Sequence, residues 1–183
     1  MDLERDKLKH IVVGLKKGDN QSRKHLFEMF SSRMMAVCFR YLGNKEDAED
    51  VLMDSFIKIF ENIGMYKEDN FVAWMTRVFT NQCLMFLRSK NRLILRQNDY
   101  IKTQDEVVDF PSDCRFSSRD LLRAMEVLPK SLRTIFNMYV VDGYSSDNIC
   151  KELSITKNSF YSSIYKAKTM LKKELMKIEA NRG

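Results

Sequence analysis

The chain is expected to be all-α, two small helical domains joined by a flexible linker, with a helix-turn-helix in the second. Three observations predict this. Only six glycines and two prolines interrupt the 183 residues, and these are the residues that break helices. Apolar residues recur over long stretches at the spacing of one helix face. Between two such regions lies QNDYIKTQDEVVDFPSDCRF, residues 97–116, polar, acidic, holding Pro111 and without a strong period, the character of a linker. The expected domains are therefore 1–96 and 117–183.

Each element has a local reason. Apolar periodicity predicts helices near 4–17, 21–42, 44–62 and 71–91, and Gly43-Asn44 separates the second from the third. Asn70 is positioned to cap the fourth, because a short polar side chain there accepts an otherwise orphaned amide. Beyond the linker, Ser117 or Ser118 is expected to cap a helix to Val127. Pro129 opens the next, which runs to about Val141, and Asp142-Gly143 stops it. Ser145 caps a helix to Leu153, "SIT" makes a tight turn, and Thr156 caps a long final helix.

Several function classes are excluded on composition. No apolar run reaches the ~18 residues that a membrane span needs. The N-terminus, MDLERDKLKHIVVGL, has neither an uninterrupted apolar core nor a small-residue cleavage site, so a cytoplasmic location without membrane insertion is expected. Cys38, Cys83, Cys114 and Cys150 are widely spaced, unlike paired zinc ligands. His10 and His25 fall in different helices. The sequence contains no nucleophile–base pair, Gly-rich phosphate loop or metal box. No catalytic residue, metal, cofactor or small-molecule substrate is expected; the chain does not read as an enzyme.

Charge is distributed in blocks of alternating sign. Residues 1–43 carry nine Lys/Arg against five Asp/Glu, and residues 44–70 carry three against eight. Residues 71–96 carry five Lys/Arg and no acid, residues 97–116 two against five, and residues 117–183 twelve against seven. Such blocks point to separate surfaces for separate partners.

In EDAEDVLMDSFIKIF, residues 46–60, Ala48, Leu52, Phe56 and Ile59 share one helix face and are expected to be core. Asp50, Asp54 and Glu61 lie opposite, with Glu46 and Asp47 at the edges, and Met53 and Ile57 stand on that acidic side. Apolar groups ringed by charge mark a protein interface, so Glu46, Asp50, Met53, Asp54 and Ile57 form a candidate docking surface for a basic, partly apolar protein. In the next helix, Phe71, Trp74, Met75, Val78, Met85 and Phe86 are expected to form an apolar stripe. Arg77, Asn81, Leu84 and Arg88 share another face, and Lys90, Arg92 and Arg96 continue its charge. A basic face without acids, close to aromatics, suits unpaired nucleic acid held by phosphate contacts and stacking.

YSSDNICKELSITKNSFYSSIYKAKTML, residues 144–171, is a short helix, a tight turn and a longer helix, the pattern of a helix-turn-helix. Ile149, Leu153, Ile155, Phe160, Ile164, Ala167 and Leu171 supply its expected core. Asn158, Ser162, Tyr165, Lys166 and Thr169 lie on the opposite face, flanked by Lys157 and Tyr161, and no acid occurs from Lys157 to Lys173. Polar and cationic side chains at the start of such a helix suit base edges and phosphates.

With these residues in view, the chain resembles the extracytoplasmic-function type of bacterial sigma factor. YLGNKEDAEDVLMDSFIKIF resembles that family's second-region signature, which docks on the largest core subunit of RNA polymerase. FVAWMTRVFTNQCLMFLR is similar to the helix that opens and holds the minus-ten element. LLRAMEVLPKSLRTIFNMYVVDGYSSDNICKEL and the helix after it resemble the fourth region, which reads the minus-thirty-five element. The resemblance covers nearly the whole chain in the family's order. It implies that Asp50, Asp54 and Phe56 lie in the docking signature, although helix geometry turns Phe56 inward. Trp74, Arg77, Asn81 and Arg88 match the strand-opening helix. Met65 and Tyr66 occupy the loop, residues 61–70, that captures a flipped base. Lys157, Ser159, Tyr161, Ser162 and Lys166 match the DNA-facing start of the recognition helix, joined on its exposed face by Asn158 and Tyr165.

The implied partners are core RNA polymerase and promoter DNA, and the resemblance also admits an anti-sigma factor. The acidic linker is expected to thread the polymerase. The sequence departs from the family's habit at Met53 (usually Gln), Met85 (Asp), Asn148 (Glu), Cys150 (Ala), Ser154 (Gly) and Ser163 (Arg). The competing expectation is a dimeric helix-turn-helix regulator that does not bind core polymerase.

Overall fold

A computed structural model describes residues 2–67, 70–90 and 116–181, which carry helices and turns and, among these residues, no strand. The expected linker at 97–116, apart from Phe116, lies outside the described residues, as do Arg92, Arg96 and Cys114. Two compact units divide the chain, Met1–Lys90 and Asn91–Gly183. Among the described residues no helix is long and apolar enough to cross a membrane.

The first unit holds α1 (Asp2–Lys16), α2 (Asn20–Leu42), α3 (Lys45–Asn62), a single 3-10 turn (Ile63–Met65) and α4 (Phe71–Ser89). Helices α2, α3 and α4 pack on one another, and α1 lies against α2. The α1–α2 turn is closed by Asp19, whose carboxylate accepts from the amides of Gln21 and Ser22 and from the Ser22 hydroxyl at 2.6 Å. The Ser22 hydroxyl above all, with its amide, holds the Asp19 carboxyl below the ordinary value. Gly14 faces this turn, and a Cβ added there would overlap the Ser22 hydroxyl. The break at Gly43-Asn44 forms as expected. Gly43 takes the left-handed conformation at φ 68° and donates to Phe39 O, while Asn44 caps α3 by accepting from Asp47 N at 3.0 Å.

In α2, the buried set Ser22, Leu26, Phe30, Met34, Val37, Cys38, Tyr41 and Leu42 follows the three-and-four spacing of an amphipathic helix. In α4, Phe71, Met75, Phe79, Cys83 and Leu87 are buried at every fourth residue. Such a row advances ~40° around the helix at each step, so the core face at the end of α4 is turned from that at its start. This corrects two sequence expectations. Leu84, placed with the basic residues, is 1% exposed and belongs to the core; Met85, placed in the apolar stripe, is 52% exposed. Phe56 sits at the centre, edge-on to Phe79 at 5.2 Å and tilted against Phe27 at 4.9 Å, geometries that favour aromatic pairs beyond area burial.

The second unit holds α5 (Ser118–Met125), α6 (Lys130–Phe136), a π turn (Asn137–Val141), α7 (Ser146–Leu153) and α8 (Lys157–Ala180). Ser117 and Asp120 form a reciprocal capping box at the start of α5. Helix α5 ends two residues before the expected Val127, because the chain turns through Glu126 to Leu128. Arg133 holds that turn, with Nη2 donating to Glu126 O at 2.8 Å and Leu128 O at 3.2 Å, and burial lowers its guanidinium pKa. The element expected to run to Val141 stays α-helical only to Phe136. It then widens into the π turn, where Asp142 N reaches Asn137 O five residues back. Gly143, at φ 70°, ends it. The core includes Ala124, Met125, Leu128, Phe136, Ala167, Leu171 and Leu175, with Ile135, Met138, Ile149, Phe160 and Ile164 also buried.

Candidate nucleic-acid and protein interfaces

The outer face of α3 presents Glu46, Asp50, Met53, Asp54 and Ile57, all exposed. Its inner face is the core of the unit, with Ala48, Val51, Leu52, Ser55, Phe56 and Ile59 buried. Because the inner face packs into the core, the outer face is left to carry its carboxylates in solvent. Met53 at 52% and Ile57 at 50% exposure stand among those acids. Phe56, at 2%, is core. Glu46 and Asp47 in the first turn also sit favourably at the positive end of the helix dipole.

A second surface lies where the 3-10 turn meets α4. Asn70 caps α4 by accepting from Ala73 N at 3.1 Å, which sets the entry angle of the helix. Tyr66, Phe71 and Trp74 form an aromatic triad with centroids 5.2, 5.3 and 5.6 Å apart. Phe71 is buried beneath it; Tyr66 and Trp74 are half-buried, and Met65 beside them is 74% exposed. Arg77, Asn81 and Arg88 are exposed on the following turns, and Met85 rather than Leu84 completes their face. Lys16, at the end of α1, donates to Tyr66 O at 3.1 Å and stands 5.4 Å over its ring. This contact spans fifty positions of sequence, and no local pattern signals it.

The third surface is the start of α8. The αL residue Ser154, at φ 53° and ψ 45°, makes the turn from α7: Ile155 N donates to Cys150 O at 3.0 Å and Ser154 N to Lys151 O at 3.4 Å, the paired bonds of a Schellman motif. Thr156 then caps α8 by accepting from Ser159 N at 3.1 Å. Lys157, Asn158 and Tyr161 are exposed; Ser159, Tyr165 and Lys166 are half-buried. Phe160 beneath them is fully buried, edge-on to Tyr139 and Tyr161 at 5.1 Å each.

Ser162 departs from expectation. It is 8% exposed, its hydroxyl has no hydrogen-bond partner among the described residues, and it does not join the exposed face. Helices α5, α6 and α7 all pack on α8, so the buried arc is wider than the single stripe that periodicity predicts. The α8 face also meets an acid after all. Asp147, in the first turn of α7, pairs with Lys157 at 2.9 Å, and the hydrogen bond to this carboxylate raises the Lys157 pKa above the ordinary lysine value.

Among the described residues no group of His, Cys, Asp and Glu could hold a metal ion. Cys38 and Cys83 are buried in the first unit and Cys150 is half-buried on α7.

Comparison with known proteins matches both units. The Sigma-70 region 2 family model covers residues 26–93 and the Sigma-70, region 4 model covers residues 118–171, so α1 precedes the first match. The chain is 27% identical over 157 residues to the ECF RNA polymerase sigma factor SigE of Mycolicibacterium smegmatis, covering 83% of this chain and 61% of that protein. It is 24% identical over 180 residues to the ECF RNA polymerase sigma factor SigW of Bacillus subtilis, covering 92% of this chain and 96% of that one. The fold is similar to that of the sigma factor RpoE from Bartonella quintana, solved in complex with the anti-sigma factor NepR. The TM-score is 0.51 and the identity 17%, over 85% of this chain and 96% of that one.

Proposed function

This chain belongs to the sigma-70 family, as a sigma factor of the extracytoplasmic-function type, and on that footing we propose how its surfaces direct core RNA polymerase to promoters. The exposed α3 face docks on the core enzyme through Asp50, Asp54, Met53 and Ile57, with Glu46 at its edge. The triad Tyr66, Phe71 and Trp74, with Met65, receives a base of the minus-ten element drawn from the stack. Extrusion costs a few kcal/mol, which a fitted pocket offsets. Arg77, Asn81 and Arg88 hold the melted strand by its phosphates and bases. Lys157, Asn158, Ser159, Tyr161, Tyr165 and Lys166 meet the minus-thirty-five duplex. The protein performs no covalent chemistry and acts in the cytoplasm. The 97–116 segment connects the minus-ten and minus-thirty-five readers, giving domains at 1–96 and 117–183. In the free chain, the Met53–Ile57 patch would also suit a sequestering anti-sigma protein.

The observation that carries this reading is the pairing, on α3, of a fully buried inner face with an outer face that exposes two large apolar side chains among acids. DNA is repelled by such a face; a basic, partly apolar protein is not. The test is transcription in vitro with purified core polymerase and promoter fragments. Asp50→Arg with Asp54→Arg is expected to abolish both capture of core and transcript while the helical signal stays intact. Wild-type capture by this variant would refute the docking assignment. The dimeric-regulator reading is not favoured, since both matched regions are those of a sigma factor.

A further inference from the structure

The Asp147–Lys157 pair stands on the face that the proposed function gives to the upstream duplex, and this inference rests on that reading. Lys157 is the first residue of α8 and Asp147 lies in the first turn of α7. Their 2.9 Å contact joins side chains that are 59% and 73% exposed, so it is not forced by burial. In a helix-turn-helix, the first helix crosses the phosphate backbone while the second enters the groove. A carboxylate on the first turn of α7 is then carried by the helix that crosses the phosphates, and it already holds the leading cation of a stretch of α8 that carries no acid of its own from Lys157 to Lys173.

We propose that Asp147 is a specificity-determining residue that holds Lys157 against α7 and so restrains binding to arbitrary duplex DNA. Non-specific binding is almost wholly electrostatic, through phosphates and released counterions. A phosphate that engages Lys157 must share its ammonium with, or displace, a carboxylate that repels it. Lys157 thus adds little to a duplex that offers phosphates alone, and is released where the other α8 contacts bring a matching groove close. The expected result is a lower background on random sequence, with less loss on a cognate site.

The test measures anisotropy of a labelled random-sequence duplex at low salt and along a salt series. It compares the full chain with Asp147→Asn, Lys157→Gln, the two combined, and Lys157→Gln with Lys166→Gln. Asp147→Asn is expected to tighten binding about 1.4- to 5-fold, the range into which an exposed pair's coupling converts. The log–log salt dependence should steepen by up to ~0.9, one added phosphate contact. In the Lys157→Gln background the gain should shrink. Unchanged or weaker binding by Asp147→Asn overturns the proposal, as does an equal gain with and without Lys157, which would make Asp147 merely one more negative charge. The lysine pair keeps the two readings apart. If Lys157→Gln with Lys166→Gln leaves affinity and salt slope unchanged, it is the placement of α8 on duplex DNA that fails.

Discussion

Truncating Met53 and Ile57 to Ala together isolates the apolar part of the proposed polymerase contact. Fully burying such a side chain stabilises by ~1.5–3 kcal/mol. Met53 is 52% and Ile57 50% exposed, so about half of each remains for a partner to cover. Docking then draws ~1 kcal/mol from each side chain, and the double variant should lose ~2 kcal/mol, about thirtyfold in affinity for core polymerase. The fold should survive. The halves already packed on the unit are lost, but alanine is the better helix former and returns part of that cost. The assay is competition of labelled protein for purified core polymerase at low and high salt, with circular dichroism as the folding control. Asp50→Asn with Asp54→Asn serves as the counterpart, because its effect should fade as salt screens the acids, whereas the apolar effect should persist. Affinity of the alanine variant within about twofold of wild type, a change of only ~0.4 kcal/mol, would refute the reasoning, since the exposed halves would then remain in water in the complex.

Two further predictions concern the turns that aim these surfaces. Ser154→Gly relieves a left-handed residue at φ 53°; the strain is ~1–2 kcal/mol and glycine's extra unfolded-state freedom takes back ~0.5–1. The transition of the second unit should rise by about 4 °C in calorimetry, and a fall would show that the serine stabilises the turn in some other way. Gly14→Ala places a methyl group where the Ser22 hydroxyl lies. It should destabilise the first unit by ~1–3 kcal/mol, the usual range for overpacking, seen as a lower urea midpoint, and no shift would contradict the close approach of α1 to α2.

The all-α character, the order of the helices and most of their ends were legible because they depend on residues close in sequence. Asn44, Asn70, Ser117, Ser145 and Thr156 cap the helices that follow them, and each accepts an amide within three positions, where a short polar side chain has to act. The outward turn of Met53 and Ile57 was legible as well, because Ala48, Leu52, Phe56 and Ile59 fix one core face and the 100° step turns both residues away from it. On α4 the same geometry misled. Its buried row winds from Phe71 to Leu87, so Leu84 and Met85 exchange roles, which depends on how α2 and α3 pack on α4.

Local patterning by itself determined the elements, their caps and the charge carried by each face, because hydrogen bonds along a helix and the 100° step between residues are properties of the chain alone. Tertiary structure decided which side chains on those faces remain available. Packing on α8 buries Ser162, α7 brings Asp147 to Lys157, and α1 brings Lys16 to Tyr66. Contacts of this kind join residues on different elements. Their energies depend on how the elements pack, which no single helix encodes.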